Sequence, residues 1–418
     1  MLLTGVAGAG KSSIAHTIAK ECTTEGILLS SFFFKAGEQS QPTFLFSDMA
    51  RSLAMKSMDH RKAIISTLES DPKLATASFT THFKKLIQGP LRSNPPSSGR
   101  PMVVIIDALD ECDRGSFELL ADILCEEIPR LASSIKFFVT SRQVDLVDRY
   151  LSSDSVQRLP IDLADEANIR DCATYVHSQL EKLSKAHPKS GILDNKDVLA
   201  QEITSRADGL FIWISTIFNY LKEKSGDPLV TMRKLLDMGA SRKSAPAEKM
   251  MDELYTSILG RCDWEDDDFI HDYPIVLGAI MASERPLSLT AWDSILSPFL
   301  QSTVERTVVE LSPLLIGVRE RQRPIHILHQ SFRDFVVDHA AGGKQYIVET
   351  GKAHERMALR CFQIVNAELS GVEDLGWGFP RRRICCRPYP NLISLSSYDM
   401  HVDVLMCMLI WSIHRQKT

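Results

Sequence analysis

The sequence predicts an α/β fold: a parallel P-loop sheet at the front of the chain, followed by a helical domain, a winged-helix domain and a partial helical segment. Three observations carry this expectation. Gly5-Val6-Ala7-Gly8-Ala9-Gly10-Lys11-Ser12 fits G-x-x-x-x-G-K-[ST] and sits between a strand end and a helix. Buried-strand runs alternate with helical faces as far as residue 163. Beyond residue 247 a series of helices closes on two short apolar segments joined by a polar turn.

Taken in order, Leu2-Leu3-Thr4 end a first strand, which is expected to be central although only three residues stand between Met1 and Gly5. Ser12–Lys20 reads as a helix, with Ile14 and Ile18 four apart beside Ala15 and Ala19. Ile27–Phe34 is a continuous apolar run, as a strand buried on both faces requires. Phe46, Met49 and Leu53 mark a helix after Pro42, and Asn94–Gly99 (NPPSSG) is a loop by composition. Met102–Ile106 is a third strand. Phe117, Leu120, Ala121 and Leu124 line one helical face, Lys136–Thr140 is a fourth strand and Val156–Leu163 a fifth.

Asp165 can cap a helix whose stripe is Ile169, Cys172, Ala173, Val176 and Leu180. Asp208-Gly209 is a turn before a helix showing Leu210, Trp213, Ile214, Ile217 and Leu221. Ser225–Pro246 reads as a linker around a short helix. Met251, Leu254, Tyr255 and Ile258 start the next group, in which Glu265–Asp268 is expected to be a solvated loop. Pro274–Met281, Leu289–Leu296 and the face Val304, Val308, Leu311 are helices. Leu314–Val318 and Ile325–His329 form a hairpin around Arg319–Arg323, and Ser331 can cap a closing helix carrying Phe332, Phe335 and Val336. After Gly342-Gly343 a helix at His354–Leu369, an irregular stretch at 371–399 and a last helix at Val404–Ile413 are expected. The boundaries drawn are 1–163, 164–246, 247–340 and 341–418.

Composition narrows the class. Of 418 residues 44% are hydrophobic and 24% charged, enough for several packed cores. A net charge of −5 gives no overall pull toward nucleic acid or anionic membrane. Nine cysteines without a C-x-x-C pair argue against a zinc site or a disulfide framework and fit a reducing, cytoplasmic setting. The neighbouring Cys385 and Cys386 are read as incidental. No apolar run is long enough to span a bilayer.

The residue types explain the chemistry. Glycines at positions 5, 8 and 10 let backbone N–H groups converge on a phosphate, with Lys11 supplying a mobile positive charge and Ser13, in the first turn of the helix behind, expected among the nucleotide-binding residues. Ser12 can ligate Mg²⁺. Val103–Asp107 is an apolar strand ending in an acid, so Asp107 is placed to hold the same ion. Asp110 and Glu111 on the exit loop can orient an attacking water. Phe137–Arg142 ends at the same sheet edge, where Arg142 can sense a terminal phosphate.

GVAGAGKSS, VVIIDALDEC, FFVTSR, DGLFIWIS and LHQSFRDFVVD, in this order, resemble a NACHT-domain NTPase of the STAND class, most of all the fungal NACHT proteins, over roughly residues 1–340. The resemblance implies a P-loop NTPase fold and a signalling switch, closed with ADP and opened by exchange for ATP, often with self-association or protein partners. It implies ATP/ADP as cofactor, slow hydrolysis at most, and a role for His329 in touching the β-phosphate of the bound nucleotide. Gly209 and Leu210 are implied to line the adenine pocket. The family has more chain before the first strand, an effector region and a C-terminal repeat array, so the chain is expected to be a fragment at both ends. Trp411-Ser412-Ile413-His414 resembles the segment before such repeats, and Lys35-Ala36-Gly37 stands where the family often has an arginine. Nucleic-acid binding is not expected, because Thr303–Leu311 carries Glu305 and Glu310 beside Arg306 and phosphate contacts want net positive charge. Arg319, Arg321, Arg323 and Arg381–Arg383 are read as solvated or interdomain. The alternatives are a P-loop ATPase with steady turnover and a nucleotide-free interaction scaffold.

Overall fold

The computed structural model describes residues 1–35, 42–94, 101–131, 135–223, 226–238, 246–283, 285–339 and 344–370. The expectations for Ala36-Gly37, the end of the 94–99 loop, Ser225 and 239–245 of the linker, Gly342-Gly343, Cys385-Cys386, Arg381–Arg383 and everything else beyond 370 lie outside them. Contacts divide the chain into two compact units, Met1–Leu259 with His329–Phe335, and Gly260–Leu328 with the chain from Val336 onward.

The first unit is built on five parallel strands: β1 (Leu2–Thr4), β2 (Leu28–Phe33), β3 (Met102–Asp107), β4 (Ile135–Ser141) and β5 (Arg158–Pro160), in the spatial order β2-β3-β4-β1-β5. The fold class is α/β. The three-residue β1 is central: Leu2 faces Val139 of β4 on one side and Arg158 of β5 on the other. Alternate residues of β3 feed different cores. Val104 and Ile106 pack with Phe46, Phe83 and Phe117, while Ile105 packs with Leu3, Ala15 and Phe138. Successive side chains of a strand point to opposite faces, so the sheet is buried on both, which is why its strands are rich in apolar residues with little polar alternation.

Helices α1 (Lys11–Thr24), α2 (Leu45–Lys56) and α3 (Met58–Ser70) precede a helical stretch made of α4 (Phe79–His82), a π-helical segment Phe83–Gln88, and α5 (Gly89–Ser93). Periodicity alone leaves 57–93 unassigned. The reason is visible in α3, which buries only His60 and Ile64 and so carries too thin an apolar stripe to read. Its start is fixed by Ser57, whose hydroxyl accepts from the His60 N–H. Next come α6 (Arg114–Asp122) and α7 (Asp145–Tyr150), then α8 (Glu166–Ala186), α9 (Lys196–Ala207), α10 (Phe211–Glu223), α11 (Pro228–Met238) and α12 (Ala247–Leu259). Asp165 caps α8, accepting from the Ala167 N–H at 3.0 Å. In the stripe read for α8, Cys172, Val176 and Leu180 are buried and Ile169 is exposed.

The second unit holds α13 (Asp267–Ala282), α14 (Leu289–Leu296), α15 (Val304–Glu310), an antiparallel pair β6 (Leu315–Ile316) and β7 (His326–Ile327), and the helix Thr350–Ser370. One expectation is corrected here. The acidic run is not a solvated loop. Asp266 caps α13 by accepting from the Asp268 N–H at 3.1 Å, and Arg306 pairs with both Asp266 and Asp268. Carboxylates are favoured at a helix N-terminus, so the acids start the helix seven residues before Pro274, which sits inside it. In the turn of the hairpin Arg321 stays largely exposed, as read, while pairing with Asp293 of α14 and Glu305 of α15. A second correction belongs to the first unit: the short helix Gln330–Asp334 is capped by His329, not by Ser331.

One buried charge organises the second unit. Asp272 is fully buried and accepts from Gln301 N–H at 2.9 Å, Ser302 N–H at 2.8 Å and the Ser302 hydroxyl at 2.7 Å. Burial pushes its carboxyl pKa up, but the bonds from His271, Gln301 and Ser302 outweigh that and hold it below the usual carboxylate range. A depressed folded-state pKa contributes stability above the unfolded value of about 3.9, lost as pH falls through the folded value. Asp272→Asn should destabilise the unit by roughly 2 kcal/mol at neutral pH and flatten the acid limb, as urea unfolding curves between pH 2.5 and 7 will read.

Candidate functional site

Parallel strands end at one edge, so the loops leaving β1, β3 and β4 meet there. Gly8 and Gly10 take left-handed backbone (φ +80° and +91°), Gly10 as the N-cap of α1. At Gly8 a side chain is also excluded by packing, since a Cβ would lie 2.0 Å from Ile212 Cγ2. The Ile212 N–H donates to Gly8 O at 3.1 Å, which ties the start of α10 to the loop. Gly5 is buried against Ile161. Ser12 and Ser13 are exposed in the first turn of α1, whose N–H groups have no partners within the helix.

Lys11 is 9% exposed, and its ammonium donates to Gly5 O at 2.9 Å and Val6 O at 2.8 Å. Burial lowers its pKa, against the pull of Asp110. Asp107 is 4% exposed and accepts from the Thr140 hydroxyl. Thr140 Oγ1 also accepts from the Ala108 N–H at 3.0 Å, and Ala108 is a non-glycine residue in left-handed backbone (φ +55°). Strain of this kind persists only where neighbours over-determine it. One threonine thus sets both the acid at the end of β3 and the turn that follows.

Asp110 accepts from the Arg142 N–H at 2.8 Å and from the Ser141 hydroxyl at 3.2 Å. The Arg142 guanidinium lies between two carboxylates, with Nε 3.1 Å from Asp110 Oδ2 and Nη1 2.7 Å from Asp334 Oδ2. Gln330 Nε2 donates to Asp334 Oδ1 at 3.1 Å. His329 Nδ1 accepts from the Ser331 N–H at 3.1 Å, which leaves the proton of the neutral ring on Nε2. Ser331 Oγ lies 2.7 Å from that Nδ1 and 2.8 Å from the Tyr255 hydroxyl. Burial, then the charges of Arg142 and Lys11, push the His329 pKa down to about 4.

These groups surround a cavity of about 640 Å³, within the range of small-molecule sites. Of the residues singled out from sequence, Gly8, Gly10, Lys11, Ser12, Ser13, Asp110, Glu111, Arg142 and His329 line it, whereas Gly5, Asp107, Gly209 and Leu210 do not. Gly209 does structural work beside it: φ is +78°, a Cβ would meet Leu163 O at 2.2 Å, and Asn168 Nδ2 bridges Leu163 O and Gly209 O. Leu210 is fully buried, and the next residues, Phe211, Ile212 and Ser215, reach the wall.

Phe211 and Tyr175 also line the cavity, their ring centroids 6.1 Å apart at 55°. Sequence reasoning missed Tyr175, because it lies off the buried stripe of α8. It missed Asp334 too, although that residue stands inside the quoted LHQSFRDF. The cavity therefore has one wall of N–H groups and cations and another with two aromatic rings. Among the described residues no group of three or more His, Cys, Asp or Glu is arranged to hold a metal by itself. A hydroxyl and a carboxylate such as Ser12 and Asp107 suit Mg²⁺, which takes one or two protein ligands and fills its shell with water and phosphate oxygens.

Residues 1–142 match the family described as "Nephrocystin 3, N-terminal". That stretch contains the loop, β3 with Asp107, and Arg142, and the match supports a P-loop NTPase fold for the first unit. No curated protein matches the chain. Among solved structures, a chain of the Drosophila ORC bound to DNA is 11% identical, covering 83% of this chain and 91% of that one at a TM-score of 0.28. A single-residue variant of Thermotoga maritima RuvB is 14% identical over 81% of this chain and 87% of its own at a TM-score of 0.24. The same protein, described as a Holliday junction branch migration motor, is 14% identical over 80% and 86%, also at 0.24. Likenesses of this size say nothing about what the chain binds.

Two outcomes follow from the geometry. Gly8→Ala should cost at least ~2 kcal/mol from backbone strain and the clash with Ile212, read as a lower midpoint in urea. His329 has a folded pKa below its unfolded value of about 6.5, so it should stay neutral down to pH 5. Its contribution to stability is complete above about 6.5 and declines as pH falls toward 4. Imidazole NMR shifts should show the Nε2–H tautomer across that range.

Proposed function

We propose that this chain is an ATP/ADP-dependent switch of the NACHT/STAND type, whose product is a conformation and whose hydrolysis is slow or absent. The observation that carries the reading is the single cavity shared by the P-loop, the β4 exit and His329, residues that stand up to 321 positions apart between Gly8 and His329. A nucleotide's phosphates would take the N–H groups of the loop and the α1 N-terminus, with Lys11 turning from the carbonyls of Gly5 and Val6 to meet them. Ser12 would hold Mg²⁺, with Asp107 behind the wall reaching the ion through water, and the ion would neutralise phosphate charge. The base would lie against Tyr175 and Phe211. His329, neutral with its proton on Nε2, would donate to a phosphate oxygen.

Slow turnover is favoured by the state of Asp110. Its carboxylate already accepts from Arg142 and Ser141, which leaves little of it to orient a water. In this reading the second unit is a winged helix that does not read nucleic acid, since Glu305 of α15 is paired with Arg321. Protein partners or further copies of the chain would receive the signal.

The test is the nucleotide content and affinity of the purified chain. ADP should co-purify with wild type and be lost in Lys11→Ala. His329→Ala should weaken ADP about tenfold, the scale of one buried hydrogen bond. Turnover of ATP within seconds per cycle would favour a working ATPase instead, and absence of any binding at millimolar nucleotide would favour a scaffold.

A further inference from the structure

We propose that Asp334 sets the preference of this cavity for nucleoside diphosphate over triphosphate, by holding the guanidinium that a third phosphate needs. The inference rests on the nucleotide reading above and concerns a residue outside the cavity wall. Arg142 lines the cavity and is a natural partner for a terminal phosphate. Two of its nitrogens are already committed, Nε to Asp110 and Nη1 to Asp334. The Asp110 contact is local, because that carboxylate also accepts from the Arg142 backbone N–H and from Ser141. The Asp334 contact joins residues 192 positions apart.

Asp334 is not a drifting surface acid. Gln330 Nε2 holds its other oxygen, and the pair with Arg142 is about three-quarters buried, with 26% and 28% of the two side chains exposed. The segment that carries it is anchored behind by Phe332 and Phe335, whose rings lie 5.2 and 5.5 Å from that of Tyr255. The carboxylate is therefore presented to Arg142 in a fixed place.

The charges decide the consequence. A diphosphate is met by Lys11 and the loop N–H groups and leaves Arg142 with its two acids. A third phosphate adds negative charge to a wall where the Arg142 guanidinium is already shared by two carboxylates. Either the phosphate goes without Arg142, or Asp334 gives it up and the Gln330–Asp334 helix loses its tie to β4. Both routes weaken triphosphate relative to diphosphate. The second also explains how one phosphate could be felt at His329, the residue that caps that helix.

The experiment compares ADP and a non-hydrolysable ATP analogue, each with Mg²⁺, on wild type, Asp334→Asn, Asp334→Glu and Lys11→Ala by calorimetry. Asp334→Asn should raise the ratio Kd(ADP)/Kd(ATP analogue) about tenfold, the scale of one charge-assisted hydrogen bond, and Asp334→Glu should bring the ratio back toward wild type. A ratio within twofold of wild type in Asp334→Asn, with both nucleotides still bound and Lys11→Ala binding neither, overturns the role of Asp334 and leaves the nucleotide reading standing. Binding of neither nucleotide to wild type overturns both. Should Asp334→Asn not fold, calorimetry on the wild-type chain decides: the ATP analogue should bind more weakly than ADP, and equal or tighter binding of the analogue overturns the inference.

Discussion

The candidate site hangs from β1, a strand of three residues clamped by parallel neighbours on both sides. An edge strand of that length would have little to hold it. Placed centrally, it shares ladders with β4 and β5, and Leu2 is almost wholly buried against the core. The loop that leaves it therefore starts from a fixed point. Its far side is fixed as well, because Gly8 sits against Ile212 so closely that only a glycine fits, with a backbone hydrogen bond across the contact. The phosphate loop is thus held by packing and a backbone bond of the chain's own, which limits the ordering cost of any binding there.

Charge at the site is arranged in the same pre-set way. Two cations, Lys11 and Arg142, face the cavity, and each is held by oxygens of the protein: Lys11 by two carbonyls, Arg142 by two carboxylates. His329 stays neutral because it is desolvated beside those cations, and its cap bond to Ser331 decides which nitrogen keeps the proton. A phosphate would have to compete for Arg142 but would only need to turn Lys11. That difference between the two cations is the physical basis of the proposed response to the number of phosphates and not merely to their presence.

The short-range part of the fold was legible from the chain. Strand runs at β2, β3 and β4 were readable because both faces of the sheet are buried, so most of their residues are apolar. The cap at Asp165 and the left-handed turn at Asp208-Gly209 follow from rules that reach only a few residues. Helices with thin stripes were not readable. α3 buries two residues, and α9 shows no strong apolar face, so neither stands out from a polar linker. The start of α13 was misplaced because an acidic run looks the same whether it is solvated or caps a helix; Arg306 and the helix N-terminus made it a cap.

By itself the sequence determined that a P-loop of this spacing stands between a strand and a helix, that the front of the chain is a parallel α/β sheet, and that Asp107, Asp110, Glu111 and Arg142 follow strands ending at the loop's edge. Those statements depend on periods of 2 and 3.6 residues and on the common direction of parallel strands, which are local or topological properties. Only the tertiary structure decided which residues face the cavity and which support it: that Asp107 lies behind the wall on Thr140, that Tyr175 and Phe211 supply its aromatic side, and that Arg142 is shared with Asp334. Contacts between groups 32 or 192 residues apart arise from packing of whole elements, and no spacing within the chain encodes them.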